Sequence, residues 1–200
     1  MRHLLIPDTQ IRKGVPNDHL SWAAQAVLEY KPDRTIHIGD HWDMPSLSLY
    51  DPVGSEPARH HNVEEDFEYG NAAFALLAKP LKRTKTEKHF LRGNHEDRVE
   101  RALYREPKYA GLIGNHKMDT QDFKVYPYLE RLWLDGICFS HFFQNMLSSY
   151  AVGGEITNRL NKIGDSFVQG HEQGFRYGNR VYPTGRTRHG LVQSGTLACA

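Results

Sequence analysis

The chain has 200 residues, of which 39% are hydrophobic and 24% are charged. This composition is typical of a globular domain with a sizeable core, and it excludes a disordered chain. The 25 Lys and Arg residues nearly balance the 24 Asp and Glu residues, so the net charge of +1 argues neither for nor against a polyanionic partner.

The first half of the chain predicts alternating strands and helices. Short apolar runs predict strands, and apolar residues at helical spacing predict the helices between them. The expected elements are a strand at 3–6, a helix from Asn17 or Asp18 to Tyr30, a strand at 35–38, a helix at 62–78, a strand at 88–91 and a helix at 96–104. This βαβαβα order is typical of a parallel sheet with helices on its faces.

The second half predicts a further sheet. Residues 107–128 are irregular and aromatic, and we expect a lid or an insertion there. An Asp135-Gly136 turn predicts a hairpin of 131–134 with 137–140. A helix at 155–163 and strands at 166–169, 175–177, 180–182 and 191–197 follow, with Gly178-Asn179 as a turn. We expect residues 1–200 to form a single α/β domain in which two sheets pack face to face.

The cysteines and the hydropathy of the chain indicate where in the cell the protein is expected. Cys138 and Cys199 lie in apolar runs and form no Cys-x-x-Cys pair, which argues against a zinc ribbon and a thiol redox motif. Buried thiols and a strand that begins almost at Met1 predict a cytoplasmic protein without a signal peptide. No apolar run approaches the roughly 18 residues of a membrane span, so we expect no membrane association. No obligate protein partner is evident.

Polar residues follow the predicted strands where each one ends. Because ligands of open α/β sheets bind at the carboxyl ends of the strands, we expect these side chains to form one site. They are Asp8, Gln10, Asp40, Asp43, Asn94, His95, His141, His171 and Gln173. Carboxylate, imidazole and amide ligands without a thiolate suit first-row divalent cations. The set is large enough for two ions, an arrangement that clamps an in-line displacement at phosphorus.

The order of these motifs resembles the calcineurin-like metallophosphoesterase family. The resemblance rests on Asp8-x-Gln10, Gly39-Asp40-x-x-Asp43, Gly93-Asn94-His95-Glu96, His141 and Gly170-His171-x-Gln173, and it covers about residues 3–197. It implies a four-layer α/β/β/α sandwich of two mixed sheets, a two-metal centre and hydrolysis of phosphate esters.

The resemblance also implies roles for the matched residues. Asp40 would bridge two metals, with Asn94, His141 and His171 completing one ligand set and Asp8, Gln10 and Gln173 the other. A metal-bridging hydroxide would attack phosphorus. His95 would be the general acid, Asp43 would orient it, and Asn94 would be shared between metal binding and catalysis.

Two glutamines depart from the family pattern. The usual first motif is Asp-x-His and the usual last one is Gly-His-x-His, but this chain has Gln10 and Gln173. Both substitutions fall on the same metal and replace imidazole nitrogen by amide oxygen. We therefore expect that site to favour Mn²⁺ first, with Mg²⁺, Zn²⁺ or Fe²⁺ as alternatives. The alternative is an often empty site and a one-metal enzyme.

Three residues within or next to the motifs are candidates for substrate binding. Met44-Pro45 stands where protein phosphatases of the family have Arg-Gly, which argues against that branch, but Arg92 offers another cation. We expect Arg92 either to contact a phosphate of the substrate or to form a structural ion pair. His41 and Trp42 lie within the second motif, where Trp42 either stacks on a base or packs under the loop. His60 and His61 are weaker candidates, and His37 is expected in the core.

These observations lead to one leading function and two alternatives. The leading hypothesis is a metal-dependent phosphoesterase that prefers phosphodiesters, with a nucleotide or nucleic acid as substrate. The first alternative is a phosphomonoesterase, including a protein phosphatase. The second is a non-catalytic metal-binding scaffold, against which the presence of both His95 and Asp43 argues.

Overall fold

A computed structural model describes residues 1–50 and 62–194. Its first sheet has four parallel strands in the order β1-β2-β3-β4, namely His3–Ile6, Arg34–His37, Glu87–Leu91 and Lys124–Tyr126. Three helices accompany this sheet: α1 at Asp18–Tyr30, α2 at Val63–Leu81 and α3 at Asp97–Arg105. All of these elements except β4 match the predicted ones to within a few residues. β4 lies in the 107–128 segment and adds an edge strand to the sheet.

The second sheet has the order β5-β6-β7-β9-β8. Its strands are β5 at Leu132–Leu134, β6 at Ile137–Ser140, β7 at Phe167–Gln169, β8 at Gly174–Val181 and β9 at Thr187–Ser194, with helix α4 at Ile156–Ile163. β6, β7 and β9 run parallel, whereas β5 and β8 pair antiparallel at the edges. Only this second sheet is mixed, since the first is parallel in all its described strands.

Three apolar layers hold the sheets and helices together. Side chains alternate across each strand, so Phe90 packs toward the helices while its neighbour Leu91 packs between the sheets. In the second sheet, Phe139 likewise faces the first sheet, and Cys138 faces the α4 side. These layers give the predicted α/β/β/α sandwich.

The predicted turn at Gly178-Asn179 is wrong. Residues 174–181 form one continuous strand, and Gly178 pairs with Gly190 of β9. A Cβ on Gly178 would lie 3.0 Å from Cγ2 of Ile156 in α4. The glycine therefore permits close packing of a helix on the sheet rather than a reversal of the chain.

Several predicted features fall outside the described residues. These are His60, His61, Cys199 and the strand residues beyond 194. Within the described ranges, Cys138 is buried and no helix combines the length and apolar character that a membrane crossing requires.

Candidate metal centre

The site lies where the loops after β2 and β3 meet. Asp40 has a φ of +51°, and residues Gln10, Met44 and His171 of neighbouring loops also have positive φ. A Cβ on Gly93 would lie 2.0 Å from Asp40 Oδ1, so the two loops touch only because residue 93 is glycine. Such a concentration of costly backbone conformations is typical of functional sites.

Four polar atoms converge at these strand ends. Asp40 Oδ2 lies 3.2 Å from His141 Nε2. Asn94 Oδ1 lies 2.9 Å from His141 Nε2 and 2.7 Å from His171 Nδ1. The ligand atoms of Asp40, His141 and His171 all lie within 4.8 Å of one another. One carboxylate, one amide oxygen and two imidazoles are a ligand set for a first-row divalent ion.

The hydrogen bonding of His141 fits a bound cation. Its Nδ1 donates to the carbonyl of Ile38 at 2.9 Å, which fixes Nε2 as the atom that faces Asp40 and Asn94. In the neutral ring, Nε2 then presents a lone pair to two oxygen acceptors. Burial opposes a charge on His141, but Asp40 outweighs it and raises the pKa of His141 to about 9. The position between these atoms therefore favours a positive charge, which a metal ion would supply.

His95 lies beside the cluster and is oriented by Asp43. Its Nδ1 lies 2.7 Å from Asp43 Oδ1, and its Nε2 lies 3.8 Å from Asp40 Oδ2. Burial and, to a lesser extent, the charge of Arg98 lower the pKa of His95, but the hydrogen bond to Asp43 and the charge of Asp40 outweigh them and raise that pKa. The contact expected between Asp43 and His95 is therefore present, and it favours the protonated imidazole that a general acid needs.

Glu96 holds the two central loops together. Its buried carboxylate accepts four backbone N–H groups: those of Asp40 at 3.0 Å, His41 at 2.6 Å, Trp42 at 2.9 Å and Gly93 at 2.7 Å. Burial and the Asp40 carboxylate raise the pKa of Glu96 to about 7, while the four donors favour its charged form. Both loops that carry proposed ligands thus depend on this one side chain.

We expect Glu96→Gln to be strongly destabilising. The amide NH₂ would face two backbone N–H donors and leave them unpaired, at a cost of about 1–3 kcal/mol each. We therefore expect the free energy of unfolding to fall by roughly 2–6 kcal/mol, measured by urea denaturation. Glu100→Gln on the exposed side of α3 is the matched control. Equal denaturation midpoints for the two variants would contradict this role of Glu96.

The three residues predicted to bind the other metal differ in their burial. Asp8 is buried, and its Oδ2 accepts the backbone N–H of His171 at 3.0 Å. Gln10 is half-buried and its backbone N–H donates to the Asp40 carbonyl at 2.8 Å, whereas Gln173 is exposed. Asp8 thus borders the cluster, and the ligand roles of the two glutamines stay predictions.

The prediction that His41 and Trp42 bind substrate is wrong. Both are fully buried, and Trp42 stacks on Phe74 with ring centroids 5.5 Å apart. His41 belongs to a buried chain in which His37 donates to Thr9 at 3.2 Å, Thr9 to His41 at 2.7 Å, and His41 to the Gly70 carbonyl at 3.0 Å. Burial lowers the pKa of His41 to about 3, so the ring is neutral and structural. His37 lies in the core, as expected.

The structure places other arginines nearer the cluster than Arg92. Arg92 is half-buried and lines a separate cavity with Glu100 and Tyr128. Arg98 donates to the carbonyls of Asp43 at 2.7 Å and Met44 at 3.2 Å, and its Nη2 lies 3.5 Å from His95 Nε2. Arg98, Arg101 and Arg105 of α3 line a cavity together with Asn94 and His171. Sequence reasoning missed these residues, although their i, i+3, i+7 spacing directly after His95 was a usable signal.

Comparison with protein families decides the assignment. Residues 1–181 match the calcineurin-like phosphoesterase family. The chain belongs to the calcineurin-like phosphoesterase family. Searches of curated proteins and of solved structures found no match. Membership in this family implies a metal-dependent hydrolase of phosphate esters, for which the cluster of Asp40, His141 and His171 is a candidate metal site.

Proposed function

We propose that this calcineurin-like phosphoesterase hydrolyses phosphodiesters at the Asp40 cluster. The observation that carries the proposal is the convergence of Asp40 Oδ2, Asn94 Oδ1, His141 Nε2 and His171 Nδ1 beside an oriented His95. A divalent cation bound here would supply a Lewis acid for the phosphoryl oxygen and lower the pKa of a bound water.

The side chains around the cluster would donate a proton and bind the substrate. His95 donates a proton from Nε2 to the leaving oxygen, because its Nδ1 proton is held by Asp43 at 2.7 Å. Arg98 is fixed by two backbone carbonyls, which keeps a guanidinium nitrogen 3.5 Å from His95 Nε2. That pair of cationic groups would bind a phosphoryl oxygen and keep the leaving group next to its proton donor.

We propose two Mn²⁺ ions as the cofactors. Asp40, Asn94, His141 and His171 would hold one ion, and Asp8, Gln10 and Gln173 would join Asp40 in holding the other. The buried Asp8 next to His171 supports a second position. Two amide ligands instead of imidazoles make this second site weaker and harder, which favours Mn²⁺ over Zn²⁺.

The surroundings of Met44 favour a diester over a monoester. Met44 is uncharged and fully buried in the helix-side core. This position therefore gives no cation to a doubly charged monoester. Arg98 is thus the guanidinium held closest to His95 by a described contact. A singly charged diester needs less positive charge than a monoester dianion.

The test compares bis-p-nitrophenyl phosphate with p-nitrophenyl phosphate. Metal-stripped protein is assayed with Mn²⁺, Mg²⁺ or Zn²⁺ by release of p-nitrophenol. We expect Mn²⁺-dependent turnover with a higher kcat/KM for the diester. We expect His116→Ala, which changes an exposed histidine of the short 3₁₀ helix Asn115–Lys117, to retain full activity as a control. A preference for the monoester would overturn the diester proposal, and no turnover with any metal would favour a metal-binding scaffold.

A further inference from the structure

The cavity beside the candidate metal centre has two chemically distinct walls. It has a volume of about 280 Å³ and includes Asn94 and His171 of the cluster in its lining. One wall is helix α3 with its arginines, and the other carries tyrosine side chains from two loops. Neither wall is used by the proposed hydrolysis of a single phosphate group beyond Arg98.

The helix wall is a row of cations that leads away from the cluster. Arg98, Arg101 and Arg105 are spaced i, i+3 and i+7, which puts them on one face over roughly 10 Å of helix. Arg101 donates to the Asn94 carbonyl at 2.7 Å and pairs with Asp97 at 3.1 Å. Arg105 is exposed, and within the described ranges its guanidinium forms no ion pair. Its exposed position beside the cavity allows the guanidinium to meet a phosphate that lies beyond the cluster.

The loop wall presents large aromatic and aliphatic side chains to solvent. Tyr50 is 90% exposed and Tyr150 is 80% exposed, although both line the cavity. Leu49 of the same wall is 70% exposed. Aromatic rings opposite a cationic groove are the combination that binds single-stranded nucleic acids, because bases stack on the rings while the backbone follows the positive charge.

We propose that this cavity binds the nucleotide next to the scissile phosphate of a single-stranded oligonucleotide. Arg101 and Arg105 contact the flanking phosphate, and Tyr50 and Tyr150 provide stacking surfaces for the base. The proposal rests on the proposed phosphodiesterase function and names its substrate class. The near-neutral net charge of +1 is compatible with it, since three of the 25 Lys and Arg residues lie together on the face of α3 that lines this cavity.

Binding is tested separately from turnover in Mn²⁺-loaded His95→Gln protein. The probe is a fluorescently labelled oligothymidylate, and anisotropy gives its Kd at several salt concentrations. Each phosphate contact on a single strand contributes about −0.7 to the slope of the logarithm of the association constant against the logarithm of salt concentration. We expect Arg105→Gln in this background to make the slope shallower by about 0.7, and Arg105→Lys to restore it.

Arg83→Gln is the matched control for the loss of charge. Arg83 is exposed in the turn before β3, at the end of the strand opposite to the cluster. We expect the salt-dependence slope of Arg83→Gln to equal that of the His95→Gln background protein. An unchanged slope in Arg105→Gln would overturn the phosphate contact, and so would an equal change in Arg83→Gln.

The stacking contact is tested with the double variant Tyr50→Ser/Tyr150→Ser. We expect Kd for oligothymidylate to rise at least about fivefold, given the usual strength of base–aromatic stacking. The Tyr50→Phe/Tyr150→Phe variant restores binding, and an abasic oligonucleotide shows no difference between the variants. Equal losses with the normal and the abasic probe would overturn base stacking.

The two proposals fail in different ways. If the wild-type enzyme hydrolyses bis-p-nitrophenyl phosphate but the oligothymidylate does not bind, the oligonucleotide proposal is wrong and the phosphodiesterase proposal stands. If the oligothymidylate binds with the expected slope but no diester is hydrolysed with any metal, the proposed catalysis is wrong and the binding surface stands.

Discussion

Asp40→Asn is expected to abolish metal-dependent activity while the fold is retained. Asparagine keeps the size of the side chain, and its Oδ1 still accepts the backbone N–H of His95, which lies 2.9 Å away in the native protein. It loses the negative charge that faces His141 at 3.2 Å. Loss of a group that only orients a ligand costs about 10–100-fold in metal affinity or activity, so loss of a ligand is expected to exceed about 100-fold in both.

The thermal stability of this variant gives a second readout. Metal at about 100 times its Kd stabilises a protein by about 2.7 kcal/mol. For a chain of this length, that corresponds to a rise in Tm of roughly 5–10 °C. We expect this rise in the wild-type protein and not in Asp40→Asn. Asp165→Asn, which removes an exposed partner of Arg188, is the control and keeps the full shift. A normal Mn²⁺ shift in Asp40→Asn would show that the metal binds elsewhere.

His95→Gln is expected to lower kcat by about 10²–10⁴-fold without loss of metal binding. The imidazole is held at the edge of the cluster, and its Nε2 lies 3.8 Å from Asp40 Oδ2 without belonging to the four converging atoms. Its loss removes the proton donor but leaves Asp40, Asn94, His141 and His171 in place. The measurement is kcat for a diester together with bound Mn²⁺ per chain.

The leaving group separates a general acid from a residue that only positions substrate. A diester with an alkyl leaving group needs protonation in the transition state, whereas p-nitrophenolate leaves readily without it. We therefore expect a larger loss of kcat in His95→Gln with the alkyl diester than with bis-p-nitrophenyl phosphate. Equal losses with both substrates would contradict the general-acid role and leave His95 a role in binding alone.

Strand-end motifs could be found from the sequence because each is local. Gly93 and Asn94 follow an apolar run directly, so the turn and its position at the sheet edge are encoded within a few residues. The order of several such turns then predicted one shared site, and the structure brings Asp40, Asn94, His141 and His171 together.

Side-chain orientation within a motif could not be read from the sequence. His41 and Trp42 directly follow Asp40, yet they point into the helix-side core because the positive φ of Asp40 and the Glu96 contacts turn the backbone there. The role of Glu96 could not be read from the sequence either, since its four hydrogen bonds join two loops more than fifty positions apart in the chain.

Edge strands and the cavity walls depend on long-range packing. Residues Lys124–Tyr126 have no alternating pattern of useful length, and pairing with β3 makes them a strand. Gly178 resembles a turn residue, but close packing against Ile156 explains it. The cavity joins α3 to loops around residues 50 and 150, a proximity that only the folded chain establishes.

The most direct test of the metal centre is a crystal structure of the protein soaked in Mn²⁺ with anomalous scattering recorded. We predict an anomalous peak bounded by Asp40 Oδ2, Asn94 Oδ1, His141 Nε2 and His171 Nδ1. A second, weaker peak next to Asp8 would support the two-ion proposal. Mn²⁺ peaks only at other positions, with His141 still hydrogen bonded to Asn94, would contradict the assignment of this cluster as the metal centre.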